Sequence, residues 1–225
     1  MNEALALDGE TPQDRIVQRI EEDIVFGRLH PRERLVEEAL AERFGVKRHI
    51  VREALADLER RGLIERFRNR GAMVKAYTPE EVEQLYAVRA LLETSCAEML
   101  PLPMDPARLA ELEALQDEHD AAVAAQDLPR IFRLNVQFHR VLYAGCGNPY
   151  LAGVIDEFAQ KTHAIRFYSV VQPETIAYAR DDHRAILQAI REGDRQSLMA
   201  ICRRHLMPSK EAYIDAYRRR FGLIE

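Results

Sequence analysis

Apolar residues recur at helical spacing from the start of the chain. In RIVQRIEEDIVFG, Ile16, Ile20, Ile24 and Val25 fall on one face of a helix over 13–27, with Gly27 as its stop and Pro31 in the turn beyond. LVEEALAERFG predicts a second helix of about two turns, with Leu35, Leu40, Ala41 and Phe44 inward and Gly45 at its end. A third helix runs from near Lys47 to about Arg61, and its Val51, Ala54, Leu55 and Leu58 repeat at i, i+3, i+4 and i+7. The link between the second and third helices is only the short run GVK, the spacing of a helix-turn-helix. Gly62 closes the third helix. LIERFRNRGAMVKAY then reads as two short strands about a turn at Asn69–Arg70–Gly71, which makes a wing.

Beyond Pro79 the pattern is helical almost throughout. Pro101–Pro103, Asp127–Pro129, Gly145–Pro149, Pro173 and Gly193 divide it into helices at about 79–99, 106–125, 129–144, 149–169, 174–191 and 195–217. The expected fold is an all-α C-terminal bundle preceded by an N-terminal winged helix-turn-helix with a small β wing. Residues 1–11 are expected to form a flexible tail, 12–76 the winged domain and 77–225 the helical domain.

Charge sharpens this picture. The net charge of the whole chain is -5, which by itself argues against a general polyanion binder. Residues 43–75, however, hold ten Lys/Arg against four Asp/Glu. Lys47, Arg48, His49 and Arg52 stand at the start of the third helix, off its buried stripe, where a recognition helix meets base edges. Arg66, Arg68, Arg70 and Lys75 make the wing basic, suited to phosphate or the minor groove. A solvated amphipathic helix is the competing explanation for any one of these. The order helix, turn, helix, basic wing favours double-stranded DNA as the partner.

No uninterrupted apolar run of membrane length occurs, and MNEALALDGE lacks the pattern of a secretory signal, so a cytoplasmic location with no membrane partner is expected. Cys96, Cys146 and Cys202 lack metal-type spacing and read as reduced, mostly buried thiols. His139 follows Asn135 by four residues in RIFRLNVQFHRVLY, which puts the two on one helical face. His183 lies in DDHRAILQAI and His205 in MAICRRHLM. Histidines on three helices can converge on a divalent metal, zinc or nickel by ligand preference, with the Asn135 amide oxygen as a further donor. They can equally be capped or solvated side chains, and spacing alone leaves both readings open. A metal-dependent hydrolase or lyase is the rival function. It would need a base, for which Asp181, Asp182 and Glu157 are available but unassigned, and HExxH, GxxxxGK and GxGxxG are all missing from the sequence.

LVEEALAERFGVKRHIVREALADLERRGLIERFRNRGAMV, followed by VRALLE, NVQFH, GNPYL and DHRAILQAIREGDRQSLMAICRRHL, resembles the GntR family of transcriptional regulators, in the branch with an all-helical FCD ligand-binding domain. The likeness spans roughly residues 12–217. It implies a homodimer on a near-palindromic operator and a regulator, most often a repressor, released by a small effector. Arg48 and Arg52 match the family's DNA-contacting arginines, Arg43 matches a further contact, and Gly71 matches the glycine of the wing tip. The chain departs from the family run at Lys47, where Ser is common, at His49–Ile50, which replaces Thr-Pro, and at Pro31–Arg32, which replaces Pro-Gly. Asn135, His139, His183 and His205 match the metal ligands of the family's metal-binding branch. The ion implied is divalent, zinc first, with nickel or manganese as alternatives. The resemblance also implies a small carboxylate or sugar acid as effector, with Arg89 as its carboxylate partner and His163 and Arg166 on the pocket wall.

Overall fold

A computed structural model describes residues 11–67, 71–166 and 171–221 of the chain. The chain divides into two compact units, 1–76 and 77–225.

The first unit begins with α1 (Pro12–Val25), capped by Thr11, whose side chain accepts from the Asp14 amide while the Asp14 carboxylate takes the Thr11 amide. Thr11, the last residue of the expected tail, is thus built into the helix start. A two-residue strand β1 (Arg34–Leu35) precedes α2 (Glu37–Phe44) and α3 (Arg48–Arg60). Strands β2 (Ile64–Phe67) and β3 (Gly71–Val74) form an antiparallel ladder in which Ile64 faces Val74 and Phe67 faces Gly71. β1 pairs with the other edge of β3, giving the order β1-β3-β2.

This corrects the expected second helix. Leu35 is a buried strand residue, and Val36 is the N-cap of α2. Only Leu40 of α2 is fully buried; Ala41 and Phe44 are half-covered. The two predicted stripes stand: Ile16, Ile20, Ile24 and Val25 of α1 and Val51, Ala54, Leu55 and Leu58 of α3 are all buried, and the two helices pack together. Between His30 and β1, Arg32 adopts a left-handed backbone with φ 69. Its amide donates to the Val74 carbonyl at 2.9 Å. This is the position at which the family run has glycine, and a side chain in this conformation carries strain.

The second unit contains α4 (Pro79–Met99), α5 (Pro106–Ala124), α6 (Leu128–Ala144), α7 (Pro149–Lys161), α8 (His163–Arg166), α9 (Pro173–Glu192), α10 (Arg195–Arg204) and α11 (Met207–Phe221). Four of them open with a side-chain cap followed by proline, from Thr78, Asp105, Asp127 and Asn148. Two expected helices are broken. The one over 149–169 stops at Thr162, whose hydroxyl donates back to the Ala159 carbonyl at 2.7 Å. The one over 195–217 breaks at His205–Leu206, because Pro208 cannot supply the amide an uninterrupted helix needs and instead sits in the first turn of α11. A contiguous core runs through Cys96, Leu112, Phe138, Leu142, Ile186 and Leu198. All three cysteines are buried free thiols. Among the described residues no helix is long and apolar enough to cross a membrane.

Candidate metal centre and nucleic-acid interface

Three imidazoles meet inside the second unit. α6 supplies His139, α9 supplies His183, and His205 sits at the C-cap of α10. The Nε2 atoms of His139 and His205 are 3.0 Å apart, and those of His139 and His183 are 3.3 Å apart. One nitrogen from each ring lies within 4.8 Å of the others. The break after α10 helps to place His205, which ends one helix rather than continuing it.

The far edges of the rings show which way their lone pairs face. Gln116 of α5 gives its amide N–H to Asp120 at 2.7 Å, which leaves its carbonyl oxygen facing His183 Nδ1 at 3.0 Å. His183 therefore carries its proton on Nδ1 and turns an Nε2 lone pair inward. Asp182 Oδ2 stands 3.3 Å from His205 Nδ1, and Arg204 holds Asp182 through two hydrogen bonds of 2.6 and 3.1 Å. In its neutral form His205 likewise points Nε2 inward. His139 Nδ1 is buried with no hydrogen-bond partner, so nothing on its outer edge fixes that ring's tautomer. Burial first, then the neighbouring imidazoles, hold the pKa of His139 and His183 well below the ordinary imidazole value.

Converging unprotonated nitrogens repel unless a proton or a cation lies between them. A proton on His139 serves one contact at a time, whereas a divalent ion serves all three. Two nitrogens bound to one ion at about 2.0–2.1 Å lie about 3.0 Å apart at a right angle and about 3.4 Å apart at a tetrahedral angle. The two spacings that His139 makes, 3.0 Å to His205 and 3.3 Å to His183, fit that range, and the three nitrogens lie within 4.8 Å of one another. The cluster can in principle coordinate a metal ion. Its outer partners Gln116 and Asp182, which orient two of the rings as supporting groups do in metal sites, were not identified from sequence in that role. The sequence offers Asp182 only as an unassigned candidate base.

Two cavities flank the cluster. The first, about 630 Å³, is bordered by Tyr86, Arg89, His119, Asn135, Arg166 and His205, among others. The second, about 500 Å³, is bordered by Arg89, Asn135, His139, Tyr143, His163 and Arg166. Arg89, Asn135 and Arg166 border both. Arg89 is buried and already engaged: its Nε donates to Glu93 at 2.8 Å and its Nη1 to the Thr162 hydroxyl at 3.0 Å. Tyr143 donates to the other Glu93 oxygen at 2.7 Å. Burial, then repulsion from Arg89, lowers the Arg166 guanidinium to about 10. Buried Arg89 and half-buried Arg166 thus interact with one buried carboxylate, Glu93, and the cavity walls favour an entering anion. His163 is buried edge-on to Phe132, with ring centres 5.0 Å apart. The carboxylates weighed for an enzyme are all paired: Glu157 with Lys161, Asp181 with Arg180, and Asp182 with Arg204 and the His205 ring.

In the first unit, Lys47, Arg48, His49 and Arg52 are all exposed on α3. Lys47 is the N-cap and makes no side-chain cap, so the N–H groups of the first turn are not covered by it. Arg48 pairs with Glu38, and Arg52 Nε donates to Glu37 at 2.8 Å. Arg43 is held differently, at 2.5 Å from buried Asp23, which also takes Arg28. Gly71 sits in the wing with φ 81 opposite Phe67. Arg68 and Arg70 lie outside the described residues. Glu37 and Glu38, the acidic partners of this face, were not singled out from sequence.

Comparison with known proteins identifies the family of both units. Residues 12–74 match the family described as bacterial regulatory proteins, gntR family, and residues 84–207 match the FCD domain. The helix-turn-helix regulator YdhC of Bacillus subtilis is 27% identical over 85% of this chain and 86% of its own length. A helix-turn-helix regulator from an unstable DNA locus of Streptomyces ambofaciens is 30% identical over 88% of this chain and 84% of its own length. The structure of Escherichia coli McbR/YncC superposes with a TM-score of 0.78 over 92% of this chain and 99% of that one, at 19% identity.

The chain belongs to the GntR family of bacterial transcriptional regulators and carries an FCD domain. It is a DNA-binding regulator that forms dimers on operator DNA and senses a small molecule in its helical domain. Family membership, rather than any missing group, sets the enzyme reading aside.

Proposed function

We propose that the protein is a repressor whose helical domain, residues 77–225, senses a small carboxylate or sugar acid beside a divalent metal and thereby controls operator binding by the winged domain, residues 12–76. The observation that carries this reading is the convergence of His139, His183 and His205 next to a cavity bordered by buried Arg89 and half-buried Arg166. Three imidazoles without a carboxylate favour zinc, with nickel or manganese as alternatives. Asn135, one turn before His139 and bordering both cavities, is the candidate oxygen ligand. The ion supplies a Lewis-acidic centre with open positions for an oxygen ligand.

The protein's own groups do the rest. Gln116 and Asp182 hold two imidazoles in their binding tautomers. Arg166 and Arg89 attract the carboxylate, which approaches Arg89 in competition with Glu93 and Thr162, and Glu93 keeps the arginine pair from overcharging the cavity. His163 closes the second cavity beside Arg166. The ligand touches groups on α4, α6 and α10, so it favours whichever arrangement of those helices brings them closest. It shifts the switch only by its difference in affinity for the two arrangements; tenfold corresponds to ~1.4 kcal/mol. On the DNA side, Arg48, Arg52 and His49 read the groove. Lys47, Arg43, Arg68, Arg70 and the wing backbone at Gly71 serve the phosphates.

Elemental analysis after zinc loading and desalting tests the metal assignment. Wild type retains close to one ion per chain, and His183→Ala retains much less while staying folded. Equal metal content in the two proteins refutes it.

A further inference from the structure

His119 of α5 takes no part in the ligand set above. Its side chain is buried, at 1% exposure, yet its Nδ1 has no hydrogen-bond partner. A buried polar atom left unpaired is costly and uncommon in a native core. The ring also borders the larger cavity, together with Arg89, Arg166 and His205. Its centre lies 5.3 Å from that of His183, close to the 4.9–5.2 Å that separate the three clustered rings from one another. It does not join their nitrogens, which form a cluster of three.

We propose that His119 is a ligand-binding residue that takes the hydroxyl of a hydroxylated carboxylate bound in this cavity. This rests on the reading of the cavity as an effector site beside a metal. The arginines already account for the carboxylate end. Beside the other polar groups that line this cavity, among them Asn135, Thr175, Tyr178 and Ser209, His119 is singled out by the buried Nδ1 edge of its imidazole, which has no hydrogen-bond partner, and by its place beside His183. A hydroxyl suits that edge in either tautomer, because it both donates and accepts. A ligand lacking it leaves the imidazole unpaired, and sites built around a hydroxyl discriminate strongly against analogues without one.

The test uses full-length protein and pairs of probes that differ by one hydroxyl: L-malate against succinate, and citrate against tricarballylate. Metal content is measured first, and binding is then followed by calorimetry on metal-loaded wild type, His119→Phe and His119→Gln. Wild type prefers the hydroxylated member of at least one pair by about tenfold or more. His119→Phe keeps its metal but loses the preference, and His119→Gln, which retains a donor and an acceptor, recovers part of it. If the preference persists in His119→Phe, the hydroxyl is held by the metal alone and the proposal falls. It falls equally if metal-loaded wild type shows no preference in either pair. Failure of wild type to hold metal is a separate result, seen before any probe is added, and it overturns the metal centre together with this proposal.

Discussion

The metal-free protein should lose stability steeply between pH 7.5 and 5.5. His139 and His183 are held neutral by burial, well below the ordinary imidazole pKa, and the first-named cause in both is desolvation. In the unfolded chain each returns to about 6.5. Below that value the unfolded state binds protons that the native state does not, so stability rises with pH across this window and is lost as the pH falls. At pH 5.5 a free imidazole gains about 1.4 kcal/mol from protonation, against under about 0.1 kcal/mol at pH 7.5. Two such groups give an upper limit of about 3 kcal/mol. Urea unfolding of the chelated protein at both pH values, followed by helical circular dichroism, measures it. Other groups titrate in this range too, so the informative number is the difference between wild type and His183→Asn. Removing one buried imidazole should reduce the pH-dependent loss by about 1 kcal/mol or slightly more. Identical pH dependence in the two proteins would show that His183 is protonated in the native state, and the argument from converging lone pairs would fail with it.

Two further outcomes concern the winged domain. Arg52→Ala should weaken specific operator binding by roughly 5- to 150-fold if Arg52 makes a bidentate base contact. Glu37→Gln, which frees Arg52 from its partner, should instead raise affinity for non-specific duplex by a few-fold. Fluorescence anisotropy over a salt series separates the two effects; a change in salt slope without loss of specificity would make Arg52 a phosphate contact. Arg32→Gly should stabilise the first unit by about 0.5–1 kcal/mol, because relief of the left-handed side-chain strain exceeds the added freedom of the unfolded chain. A lower melting temperature for this variant would show that Arg32 contributes more through its contacts than it loses in backbone strain.

Much of the winged domain was legible because one short-range pattern specifies it. The stripe Val51, Ala54, Leu55, Leu58 can be buried only as a helix, and it leaves Arg48 and Arg52 outward. β1 escaped because two residues are too few for an alternating pattern, and Leu35 serves a strand as well as it would serve a helix. In the helical unit, caps and prolines marked most of the helix starts. Pro208 was a usable signal for the break before α11, since a proline that deep in a helix removes a hydrogen bond. Thr162 was not: its interruption depends on a side-chain bond back to Ala159 and on the Arg89 guanidinium approaching from α4.

The histidine cluster lay between these cases. Asn135 and His139 share a face by spacing alone. The approach of His183 and His205 depends on how α6, α9 and α10 pack, which no local pattern encodes. The same holds for the buried Arg89–Glu93 pair. Its spacing of four residues was visible, but its burial against Thr162 and Tyr143 arises from tertiary packing. His119 gave no spacing signal at all.

The account stands or falls on coupling between the helical domain and DNA. The most direct test is operator affinity, on a fragment selected by the purified dimer from genomic DNA, measured with and without hydroxylated carboxylates at fixed salt and zinc. Wild type should change affinity by at least about fivefold, near the lower end of allosteric couplings. A variant with His139, His183 and His205 all replaced by Asn should bind the same fragment and not respond. Equal responses in both proteins would contradict the placement of the sensor at the three histidines.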